Sequence, residues 1–152
     1  MKSTPDNQLL CEALEEMETA LETPVVPGEL ASWADGIRRQ SARATMLLNQ
    51  QIASVHSAQC DEIMGEDSDM LRCADQLRCA DQELLNDFAG FDLVVFDLPE
   101  RARRAEPDEA QFMELVEAIS AQGLSLVIRA RKQELAIATW LVEAFNRDSG
   151  EV

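Results

Sequence analysis

The stretch from Met70 to Ala102, MLRCADQLRCADQELLNDFAGFDLVVFDLPERA, decides the fold. Met70, Ala74, Leu77, Asp81, Leu84, Phe88, Phe91, Val95, Leu98 and Ala102 follow one another in alternating steps of four and three. That spacing puts all of them on one side of an α-helix and gives a heptad seam of the kind that packs in bundles. Asp81 is the one charged residue in the seam. The hexapeptide LRCADQ occurs twice, at Leu71–Gln76 and Leu77–Gln82. Six residues turn a helix by about 600°, so the two copies face different directions and the repeat is absorbed as local duplication. Pro99 should kink or interrupt the helix.

The flanking segments show the same period. Leu30, Trp33, Ile37, Ala44, Leu47, Leu48, Ile52 and Val55 predict a helix from Glu29 toward Met64, with Gly65 as its C-cap and Asp67 or Ser68 starting the next. Pro107, Asp108 and Glu109 suit the start of a last helix, with Phe112, Leu115, Ile119, Leu126, Ala130, Ile137, Leu141 and Ala144 as its stripe. Gly123 inside that helix costs about 1 kcal/mol relative to alanine, which suggests close packing there. Near the N-terminus, Leu10, Leu14, Met17 and Leu21, with Ala13 and Ala20, mark a shorter helix over 6–22. The connector at 23–28, TPVVPG, stops it. The expected fold is a single all-α domain over 1–152. It is an antiparallel bundle of three long helices, at about 29–64, 67–105 and 108–147, plus the N-terminal one. A small α/β fold with strands near 91–97 and 124–129 is the alternative, since short apolar runs also suit buried strands.

Composition narrows the function. The chain has 152 residues, 29 acidic against 13 basic, and a net charge of −16. Such a balance opposes binding to nucleic acid or an anionic membrane. The longest uncharged apolar run, Leu135 to Val142, is too short for a membrane span of about 20 residues. MKSTPDNQLLCEALEE lacks the apolar core of a signal peptide. Cys11, Cys60, Cys73 and Cys79 form no CxxC pair, so a reducing cytoplasm is expected.

No motif for a nucleotide loop, a nucleophile elbow or a zinc site is present. The single histidine, His56, reads as a surface or capping residue, and neither a metal nor a cofactor is expected. Counting equal rises along the long helices puts Asp81 level with Arg129, with Gln51 and Gln133 within about one turn, roughly 5.4 Å. These residues predict a polar layer in the bundle middle, with Arg129 holding Asp81 through two hydrogen bonds. Arg131, Lys132 and Glu134 are candidates for a ligand or partner surface.

Pro24 to Trp33 (PVVPGELASW), Ile128 to Glu134 and Trp140 to Asp148 together resemble an uncharacterised all-helical bacterial family over most of the chain after residue 22. The resemblance brings no activity with it. The architecture is similar to that of hemerythrin-like bundles, but their histidine ligands are missing, so their metal chemistry does not carry over. The half-length first helix leaves apolar stripe uncovered on its longer neighbours, which predicts a homodimer that completes the core. The functional expectation is a non-catalytic interaction or scaffold protein with a possible protein partner. The alternatives are a small-ligand sensor or enzyme using the polar middle, and an acidic nucleic-acid mimic.

Overall fold

The computed structural model describes residues 5–66, 70–104 and 109–150, and all regular structure among them is helical. In chain order the elements are α1 (Pro5–Glu22), α2 (Leu30–Gln51), a π-helical turn (Ile52–His56), α3 (Ser57–Glu66), α4 (Leu71–Phe96), α5 (Leu98–Arg104) and α6 (Glu109–Gly150). The strand alternative is overturned, because 91–96 lie in α4 and 124–129 in α6. Their apolar runs belong to the helical seam, whose every third or fourth residue is buried.

The second predicted helix runs from Leu30 to Glu66 without a break, through the π turn. Gly65 lies within α3 rather than capping it, and only Gly28 among the described glycines has a positive φ, 91°. That angle, beside Pro27, turns the connector into α2. Asp67, Ser68 and the predicted start at Pro107–Asp108 lie outside the described residues. Pro99 acts as expected: α4 ends at Phe96, Asp97 forms a turn, and α5 starts at Leu98.

All ten positions of the Met70–Ala102 seam are buried, Asp81 included. The duplicated hexapeptides face different ways: Asp75 is exposed whereas its counterpart Asp81 is buried. Buried side chains form two clusters. An upper one joins α1, α2, α4, α5 and α6 around Phe88, Phe91, Met17, Ile37 and Ile119. A lower one joins α3, α4 and α6 around Cys60, Ile63, Leu77, Ile137 and Leu141. α1 lies against α2 and α6 and contributes nothing to the lower cluster.

Gly123 is a point of close approach. A Cβ there would sit 2.6 Å from Leu21 Cδ1 and 3.0 Å from Phe91 Cζ. The end of Leu21 can turn aside, but the fully buried Phe91 ring cannot. Overpacking costs about 1–3 kcal/mol, against a helix-propensity gain near 1 kcal/mol. Gly123→Ala should therefore lower stability by about 1 kcal/mol. Gly90, in the middle of α4 with open space around it, is the control. Gly90→Ala should raise stability by about 0.5–1 kcal/mol. Urea unfolding of the two variants checks both signs, and equal stabilisation would refute the close contact.

Candidate functional site

Between the two apolar clusters lies a polar layer built by four elements. Its centre is His56, which is 1% exposed. The π turn puts it there. Along α2 the buried positions Leu30, Ala34, Ile37, Ser41, Ala44, Leu48 and Gln51 follow in steps of four and three, with Leu47 buried beside them. The next buried residues are His56, Cys60 and Ile63. The step from Gln51 to His56 is five residues, the extra residue that a π turn accommodates. An unbroken α-helix would place Val55 inward, in line with its apolar character; Val55 is only half-buried.

Both imidazole nitrogens are engaged. Nδ1–H donates to Asp81 Oδ1 of α4 at 3.0 Å, and Nε2–H donates to Glu134 Oε1 of α6. Gln133 Nε2 donates to Asp81 Oδ1 at 3.0 Å and to the Leu77 carbonyl at 2.9 Å. Gln51 Nε2 donates to Glu134 Oε2 and to Asn7 Oδ1 of α1, each at 3.3 Å. The layer thus ties α1, α2 with its π turn, α4 and α6 together. Asp81 is buried, and the Glu134 side chain is 21% exposed. Gln51 Oε1 is buried and accepts no hydrogen bond from the described residues.

Burial is the largest influence on His56 and pushes it toward the neutral form. The hydrogen bonds to Asp81 and Glu134, together with their negative charge, outweigh burial and raise the group from its ordinary 6.5 to about 9. At neutral pH the site is an imidazolium between two carboxylates. Both ring nitrogens then carry protons, so neither has a lone pair free to ligate a metal or to take a proton. Beside it, burial and the Asp81 charge push the Cys60 thiol up, away from the reactive thiolate.

The predicted site residues divide. Asp81, Gln51 and Gln133 are all in the layer. Arg129 is not: it sits on the surface and pairs with Asp87 at 2.8 Å. The rise count placed it about one turn too low, since Gln133, four residues further on, is the residue level with Asp81. Of the presumed surface residues, Glu134 turns into the layer, Arg131 pairs with Glu18 of α1, and Lys132 is exposed. The reading of His56 as a surface or capping residue is corrected. One signal pointed inward: a charge at Asp81 in an apolar seam needs a counter-charge. Among the described residues no group of three or more His, Cys, Asp or Glu could hold a metal ion. No helix among them is long and apolar enough to cross a membrane. No family model, curated protein or solved structure matches this chain.

The sign of the pH dependence follows from the raised value. The stabilisation tied to His56 protonation is complete below about 6.5 and is lost as pH rises through about 9. Its size is on the order of 3 kcal/mol. Unfolding free energies should fall by that order between pH 6.5 and 9.5 for the wild-type chain, and His56→Leu should flatten the curve. Asp81→Ala should cost about 3–5 kcal/mol by leaving the buried imidazolium short of a counter-charge, and Arg129→Ala less than about 1 kcal/mol. Equal costs for those two variants would refute the assignment.

Proposed function

We propose that the chain is a non-catalytic helical interaction module of the cytoplasm that works as a homodimer. In this reading the bundle is antiparallel, and the half-length α1 leaves a berth that a second copy fills. One observation carries it, the face of α6. Leu124, Ile128, Arg131, Leu135, Ala138, Val142 and Phe145 follow in alternating steps of four and three, a second seam beside the buried one. At its upper end this seam is partly covered, although Ile128 is 51% exposed. Leu124 packs on the core and Arg131 pairs with Glu18 of α1. α1 reaches the polar layer at Asn7, where Gln51 also meets Glu134. Past Glu134 the seam is exposed: Leu135 is 68% exposed, Val142 45% and Phe145 45%.

Exposed apolar residues at heptad spacing mark helix partners more often than ligand pockets. A second copy is a suitable occupant because each copy lacks the same fourth helix in its lower half, and a two-fold contact satisfies both at once. The small Ala138 in the middle of the exposed stretch allows close approach. The saturated hydrogen bonding of His56 favours this reading over catalysis in the polar layer. The net charge of −16 opposes association, so added salt strengthens it.

Sedimentation equilibrium should give twice the 16.9 kDa chain mass at micromolar concentration. Leu135→Glu with Val142→Glu should give the single-chain mass with an unchanged helical spectrum. A wild-type chain that stays monomeric as salt is raised would remove the proposal.

A further inference from the structure

A second surface lies away from the α6 face, where α2 meets the junction of α4 and α5. Of the chain's five phenylalanines, Phe88, Phe91 and Phe112 are buried, Phe145 lies on the exposed α6 seam, and Phe96 is 61% exposed on α4. Leu93, one turn before it, is 77% exposed, so an apolar strip stands in solvent. The Arg38 guanidinium of α2 lies 4.3 Å from the Phe96 ring centroid, stacked over its face. Past the turn at Asp97, α5 carries the exposed Arg103 and Arg104.

The charges around Phe96 are unusual for this chain. Arg103 sits 3.6 Å from Asp35 and 3.7 Å from Glu100, and Arg104 sits 3.1 Å from that same Glu100. Two guanidinium groups, Arg103 and Arg104, therefore share two carboxylates, and the stacked Arg38 stands beside two exposed apolar side chains, in a protein of net charge −16. Arginine and aromatic residues are the types that anchor protein interfaces. Stacking on Phe96 holds Arg38 ordered before a partner arrives, which lowers the entropy cost of binding. At physiological ionic strength charges further than about 8 Å are screened, so a ligand here meets the local arginines rather than the overall negative charge.

We propose that this corner binds an acidic segment of another protein, one that carries apolar side chains for Phe96 and Leu93 and carboxylates for Arg38, Arg103 and Arg104. A polyanion such as single-stranded RNA fits less well. Its charge repeats at every nucleotide, and beyond the corner it would run over acidic surface. The exposed Leu93 also offers it nothing to stack on.

The test uses the full chain and a fluorescent synthetic peptide rich in Glu and Ala, with one Phe and one Leu a helical turn apart. Binding at physiological salt is expected. It should weaken about tenfold or more when the two apolar residues become Ser, and likewise when every Glu becomes Lys. R38E with R103E, and separately F96S, should each cause a similar loss while the helical spectrum and melting curve stay as in wild type. The L135E/V142E chain should bind the peptide normally, which separates this surface from the proposed dimer contact. No binding, equal binding of the Lys peptide, undiminished binding by the corner variants, or tighter binding of an oligouridylate would each overturn the proposal.

Discussion

Between Gln51 and His56 the second long helix advances its buried face by five residues where the rest of it advances by three or four. The π turn that absorbs the extra residue rotates every later side chain by about one residue's angle, 100°. Without it Val55 would continue the seam, His56 would face outward, and Cys60 and Ile63 would leave the lower cluster. The buried imidazolium, its meeting with Asp81 and the packing of α3 on α4 and α6 all follow from that local change of pitch.

A charged histidine inside a bundle is stable only if the whole layer forms at once. Burial alone would strip the proton from His56, and removing either carboxylate shifts the balance back toward burial. Asp81 accepts from both His56 and Gln133, while Glu134 accepts from both His56 and Gln51. Each amide therefore bridges one carboxylate to a backbone carbonyl or to α1. Such a group adds little over an apolar layer of equal volume, but it penalises every other helix register. Sliding α6 by one turn would replace Glu134 beside His56 with Ala130 or Ala138 and leave His56 with a single counter-charge.

Helix existence was legible because apolar spacing alone decides it: the seam from Met70 to Ala102 is buried at every position read from sequence. A polar layer containing Asp81, Gln51 and Gln133 was legible for a related reason, since a charge in an apolar seam demands partners at its own height. The partner's identity was not. Height counted from assumed turns carries an error of about a turn, enough to exchange Gln133 for Arg129. His56 was hidden by the π turn, because a period of 3.6 residues assigns it to the surface. Glu134 was hidden by its neighbours, Arg131 and Lys132, which do face outward.

The layer also divides the molecule energetically. Above it five helical elements enclose Phe88, Phe91 and Phe112, and truncating a buried phenylalanine to alanine typically costs about 3–5 kcal/mol. Below it α3, α4 and α6 enclose a cluster with no aromatic ring, in which Cys60, Ala74 and Ala144 bury little area each. Fewer and smaller buried groups mean a lower free energy of local opening, so the lower half opens before the upper. His56 sits at the boundary with one carboxylate on α4 and one on α6. Opening the lower half beyond it therefore has to break an ion pair in low dielectric, which confines the motion to α3 and the ends of its two neighbours. The same ends carry the exposed stretch of α6. The least stable part of the fold and its exposed apolar seam thus coincide, and covering that seam stabilises the half of the bundle that needs it most.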